Sequence, residues 1–96
     1  MIEILRFELA PGADEAAFLE ADNRVQAEFA YQQPGLVRRT AARGDDGRWV
    51  VIDLWYSAEA AAAANDAWDA DPAAQAYMAF VEPGSVSVER YEELGG

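Results

Sequence analysis

From Arg48 to Tyr56 the chain reads Arg-Trp-Val-Val-Ile-Asp-Leu-Trp-Tyr, with apolar residues at both alternating parities. A strand of this kind is covered on both faces. The sheet that holds it therefore needs helices on one side and something else on the other. A chain of 96 residues predicts one domain, residues 1–96, and a domain this small buries only about 60–65% of its unfolded surface. An apolar content of 52% with three tryptophans gives ample core material, and pairing with a second copy would add further burial.

The flanking segments supply the helices. Residues 2–9 nearly alternate and stop at Pro11-Gly12, which predicts a first strand with Leu5, Phe7 and Leu9 on one face and Ile2, Ile4, Arg6 and Glu8 on the other. Asp14 is a good N-cap, and Phe18, Ala21, Val25 and Phe29 recur at helical spacing, predicting a helix to about Ala30. Gln32-Gln33-Pro34-Gly35 then turns the chain. Two strands follow, Leu36–Arg43 and Arg48–Tyr56, joined by the hairpin signal Gly44-Asp45-Asp46-Gly47. Ser57 caps a second helix through the alanine run to Trp68. Asp71-Pro72 restarts it to about Val81, with Ala73, Ala76, Tyr77 and Phe80 on one side. Pro83-Gly84 breaks the chain again before an alternating last strand over residues 85–92. The order βαββαβ predicts an α+β ferredoxin-like plait, an antiparallel four-stranded sheet with its helices on one face. The helix-free face is then expected to be covered by a second copy of the chain.

Composition narrows the chemistry. Eighteen acidic residues against seven arginines give a net charge of −11. A surface of that sign repels phosphates and anionic lipid, so neither nucleic acid nor a membrane surface is an expected partner. The Met-Ile-Glu-Ile start lacks a basic segment followed by an apolar run, and no window approaches the roughly 20 apolar residues of a membrane span. The expected location is the cytoplasm. Arginine to the exclusion of lysine, with abundant alanine, fits the coding bias of a GC-rich bacterial genome. Histidine, cysteine and lysine are all absent. That removes imidazole bases and haem ligands, thiolate nucleophiles and Schiff-base amines. No Asp/Glu cluster has calcium-loop spacing and no glycine-rich loop could cradle a phosphate, so neither a metal nor a nucleotide cofactor is expected.

Gln33-Pro34-Gly35-Leu36, the hairpin leading to Arg48-Trp49, the junction Leu54-Trp55-Tyr56-Ser57-Ala58-Glu59-Ala60 and the Asp71-Pro72 restart together resemble the antibiotic biosynthesis monooxygenase superfamily over nearly the whole chain. The resemblance implies a dimeric α/β barrel in which two plaits pack sheet against sheet, each with a pocket between its sheet and its helices. It also implies activities that range from cofactor-independent oxidation of phenolic polyketides or quinols to haem degradation. Many members carry a histidine on the second helix where this chain has Asn65, which argues against haem degradation. The polyketide oxygenases place an Asn and a Trp on the second helix, a Tyr further along and an Arg on the last strand. The resemblance thus implies pocket roles for Asn65, Trp68, Tyr77 and Arg90.

Each candidate has an ordinary structural alternative. Asn65 and Trp68, three residues apart, share a helix face. They either line a pocket for an aromatic molecule or serve as a solvent-facing amide and a core ring. Tyr77 divides in the same way, with Phe80 beside it. Arg90 in the last strand and Arg6 in the first either pair with carboxylates or face a cavity where they hold an anion. Asp53 sits between Ile52 and Leu54 with the parity of Val51 and Trp55. Burial would raise its pKa toward that of a general base, an arginine partner would lower it, and a salt bridge across the dimer is the alternative role.

The favoured expectation is a homodimeric monooxygenase without a prosthetic group that oxidises a phenolic or quinol-like aromatic with dioxygen. In that reading Asp53 or Tyr77 handles protons, Asn65 and Arg90 stabilise the anion, Trp55 and Trp68 hold the ring, and Arg6 and Phe80 complete the binding site. The alternative is a non-catalytic binding or assembly module of the same fold. An open cavity containing these polar groups favours the enzyme, whereas filled space with Asp53 paired to an arginine favours the module.

Overall fold

The structure, a computed structural model describing residues 1–95, is a four-stranded antiparallel sheet backed by three helices. The strands are β1 (Ile2–Glu8), β2 (Leu36–Arg43), β3 (Arg48–Trp55) and β4 (Ser87–Tyr91), in the spatial order β2-β3-β1-β4. The helices are α1 (Glu15–Glu28), α2 (Ala58–Trp68) and α3 (Pro72–Met78). This is the ferredoxin-like α+β plait expected from the element order. Among the described residues no helix is long and apolar enough to cross a membrane.

The predicted helix starts are built as capped N-termini. Asp14 accepts from the Ala16 amide at 3.1 Å, the Ser57 hydroxyl from Ala60 at 3.1 Å and the Asp71 carboxylate from Ala74 at 2.9 Å, each satisfying an amide that has no partner within its own helix. The ends fall short of the sequence reading. α1 stops at Glu28, and a 3₁₀ turn at Ala30–Gln32 carries the chain to Pro34. α3 stops at Met78, because Val81 leaves the helix to bridge Leu9 and extend the sheet edge. Residues 83–85 form a second 3₁₀ turn, so the last strand begins at Ser87.

Side chains on the helical side of the sheet meet α1 and α3 in one aromatic core. Phe18, fully buried, stands 5.0 Å from the Trp49 ring and 5.1 Å from Tyr77. Phe7, Val25, Val51 and Val81 close around them. Trp55 heads a smaller cluster with Ala61 and Ala64 under α2. Among the described residues the opposite face of the sheet carries no helix. The strand registers put Ile2, Ile4, Val50, Ile52, Leu54 and Tyr91 on it, with Ile52 and Tyr91 exposed.

The Pro34-Gly35 turn locks β2 to the start of α2. Gly35 has φ +88°, and a Cβ built on it would lie 2.6 Å from the Ala60 Cβ, while its carbonyl accepts from the Tyr56 amide at 2.7 Å. Both the left-handed backbone and the missing side chain are required. We expect Gly35→Ala to cost about 2–4 kcal/mol in denaturant unfolding, from strained backbone plus overpacking. Adding Ala60→Gly should recover only part of it, because that change relieves the clash and not the φ.

Candidate active site

A cavity of about 310 Å³ lies between the sheet and the helices, toward the small end of the range typical of ligand pockets. β3 contributes Val51, Asp53 and Trp55, β1 Glu3, Leu5 and Phe7, and β2 Leu36 and Arg39. Val25 and Phe29 reach in from α1 and its cap, Ala64, Asn65 and Trp68 from α2, and Tyr77 and Met78 from α3. The walls are thus largely apolar, and Trp68 stands edge-on to Phe29 at 5.2 Å and to Tyr77 at 6.0 Å.

Among the described residues three buried side-chain polar atoms have no hydrogen-bond partner: Asp53 Oδ1, Trp55 Nε1 and the Tyr77 hydroxyl. All three residues line this cavity. Buried polar atoms are nearly always paired, since leaving one unpaired costs about 1–3 kcal/mol. Three together on the wall of one cavity are a concentrated cost that the protein's own hydrogen bonds do not offset.

The charges are set by strand register. Arg39 of β2, Asp53 of β3, Glu3 of β1 and Arg90 of β4 form a single cross-strand row. The outer members already have partners. Arg39, with its side chain 4% exposed, donates to Asp22 at 2.6 Å and to Gln26 at 3.1 Å, both on α1. Arg90 donates to Glu3 at 2.8 Å, and the same Glu3 oxygen accepts from Asn65 at 3.2 Å. Asp53 lies between these two pairs. Burial pushes its carboxyl up to about 6, against the lowering pull of Arg39 and with a further upward push from Glu3. Burial likewise drives the Tyr77 hydroxyl well above the usual phenol value. Arg39 is held above its ordinary value, because its bond to Asp22 and the neighbouring negative groups outweigh the lowering effect of burial.

Of the residues singled out from sequence, Asp53, Asn65, Tyr77, Trp55 and Trp68 share this cavity. Three do not. Arg6 stands on the helix-free face, paired with Glu89. Phe80 follows α3 and packs on Phe18 at 6.0 Å within the core. Arg90 is half-exposed and engaged with Glu3, and it lines a shallow groove near the C-terminal end of the sheet. The salt bridge across a dimer considered for Asp53 does not fit its position, since Asp53 faces the helices and not the bare face. Sequence reasoning missed Arg39 and Glu3. Both signals were present: Glu3 shares the parity of Leu5 and Phe7, and a hairpin that sets Arg43 against Trp49 also sets Arg39 against Asp53.

Sheet, helices and cavity define a ferredoxin-like α+β protein with a cavity between its two layers. Neither family models nor curated protein sequences give a match, but solved structures do. SnoaB, a cofactor-independent oxygenase from Streptomyces nogalater, is 26% identical with a TM-score of 0.75, over 97% of this chain and 93% of that one. A protein from Caulobacter crescentus provisionally assigned to the antibiotic biosynthesis monooxygenases superposes with a TM-score of 0.78 at 18% identity, covering 98% of this chain and 89% of its own. One of the same provisional assignment from Nitrosomonas europaea gives 0.71 at 20% identity, over 98% of each chain. These neighbours bear out the resemblance read from the sequence: the chain has the fold of the antibiotic biosynthesis monooxygenase superfamily.

Proposed function

We propose that the chain is a cofactor-independent monooxygenase that oxidises a hydroxylated aromatic, phenolic or quinol-like, with dioxygen. The observation that carries this reading is the unpartnered Asp53 carboxylate on the wall of an aromatic-lined cavity, with a pKa near 6 that suits a general base at neutral pH. The likeness to SnoaB supports the reaction class.

In this reading the substrate ring lies among Trp68, Trp55 and Tyr77. Asp53 takes a proton from the bound hydroxyarene or from an activated ring methylene. The resulting anion passes one electron to dioxygen, the two radicals combine into a carbon-bound peroxide anion, and Asp53 returns its proton to give the hydroperoxide. At a methylene carbon, loss of water from that adduct leaves a carbonyl, so one oxygen atom enters the product and the other leaves as water. The Trp55 indole N–H and the Tyr77 hydroxyl donate to the substrate oxygen as its negative charge develops. Asn65 and Arg90 act more remotely, by fixing Glu3. The protein otherwise contributes orientation and a dry cavity. We further propose that a second copy covers the helix-free face, giving a homodimer, and that the protein works in the cytoplasm.

An oxygen electrode with metal-free protein and a panel of hydroquinones, naphthols and anthrones tests this. Wild type should consume oxygen above the spontaneous rate, and Asp53→Asn should lose about 10²–10⁴-fold of the enzymatic rate. No uptake with any member of the panel would favour the alternative of a non-catalytic binding module.

A further inference from the structure

The charges around the cavity are nearly all paired within the protein. Glu3 is held by Arg90 and Asn65, and Arg39 by Asp22 and Gln26. Asp69, the remaining charged residue of the lining, is exposed at the end of α2. That leaves Asp53 with no counter-ion of its own, opposite an Arg39 already neutralised by Asp22, and beside two unpartnered donors, Trp55 Nε1 and the Tyr77 hydroxyl. Donors of that kind favour one negative oxygen in the cavity, yet the only cation in its lining among the described residues has its charge matched elsewhere.

We infer that this cavity accommodates a single uncompensated negative charge, carried either by Asp53 or by the ligand but never by both, so that it selects aromatics that enter neutral and excludes permanent anions unless Asp53 takes up a proton. The inference rests on the reading of Asp53 as the base of the site and adds a rule of specificity to it. A neutral hydroxyarene obeys the rule, because the proton it gives up moves to Asp53 and the charge of the cavity is conserved. An aromatic sulfonate or carboxylate brings a second charge into a space of low dielectric, where two like charges repel far more strongly than in water. The groups facing Asp53 are Arg39 from β2, Glu3 from β1 and Tyr77 from α3, with Asp22 of α1 acting through Arg39. Within that set Asp53 is the carboxylate that has no bonded partner.

Calorimetric titration with two unreactive probes of matched shape, naphthalene-2-sulfonate and 2-naphthamide, tests the rule between pH 6 and pH 8. With one proton taken up at a group titrating near pH 6, sulfonate affinity should fall roughly 50-fold across that range. Amide affinity should change less than about twofold. In Asp53→Asn the sulfonate should bind with little dependence on pH and more tightly than to wild type at pH 8. Equal pH dependence for the two probes, persistence of the sulfonate effect in Asp53→Asn, or amide binding with no sulfonate binding at pH 6 would each overturn the inference. The comparison of probes in the wild-type protein requires no variant to fold. Because neither probe reacts, the expected linkage without oxygen uptake would uphold the charge rule while refuting the monooxygenase reading. Uptake without the linkage would do the reverse.

Discussion

Asp53→Asn is expected to make the protein more stable at pH 8 while removing its proposed catalytic base. In the folded chain this carboxyl titrates near 6, against about 3.9 in an unfolded chain. As the pH rises through the window from about 4 to about 6, the unfolded state has already released its proton while the folded state still holds one. Stability therefore falls with pH across this window and stays lowered above it. At about 1.4 kcal/mol per unit of pKa difference, keeping an ionised carboxylate here costs on the order of 3 kcal/mol at pH 8. Asparagine removes most of that cost, and for a domain of this size the gain corresponds to a rise in Tm on the order of 10 °C. At pH 4, where wild-type Asp53 is protonated when folded, the gain should nearly vanish. Thermal unfolding of the two proteins at both values of pH is the check. An equal gain at both, or a loss at pH 8, would mean that Asp53 is not a strained, ionised base. A stabilised but inactive variant is what a site held at the expense of stability predicts.

Arg39→Met should have the opposite and larger effect. Its guanidinium is buried against Asp22 and Gln26, and Asp22 is itself only 15% exposed. Removing the cation leaves a buried carboxylate unpaired, which costs about 3–5 kcal/mol, a large share of the 5–15 kcal/mol that holds a typical domain together. Removing both charges in Arg39→Met/Asp22→Leu should restore most of the loss, because an apolar pair of similar volume replaces a buried ion pair at little net cost. Urea unfolding of the two variants beside wild type measures the effect. A single variant within about 1 kcal/mol of wild type would show that the pair contributes little, and a double variant no better than the single would place the cost outside this pair.

The sequence read most clearly where the physics is local. Caps at Asp14, Ser57 and Asp71 and the turns at Pro34-Gly35 and Gly44–Gly47 bound the elements, and the apolar parities of β3 required cover on both faces. Helix ends were less legible. At Val81 and Phe29 the signal for helix continued, but a bridge to Leu9 and the turn into Pro34 decided the outcome. The site divided along the same line. Trp55, Asp53, Asn65, Trp68 and Tyr77 sit on regular elements, so parity or helix face narrows each to a pocket or a structural role, and the packing then puts all five in the cavity lining. Arg6 and Arg90 lie in strands where either face was open. Their partners, Glu89 and Glu3, come from strand pairings that no local pattern encodes. Nothing local to Arg38-Arg39 distinguishes the two adjacent arginines. Only the register of Arg39 against Asp53 shows that one of the two is buried.

The most direct test of the central claim is the fate of oxygen in a turnover with ¹⁸O₂, using metal-free protein and an anthrone. The expected result is one ¹⁸O atom in each carbonyl product and none from H₂¹⁸O, at a rate that depends on Asp53. Label absent from the product, or incorporated equally fast by Asp53→Asn, would contradict a base-initiated monooxygenation in this cavity.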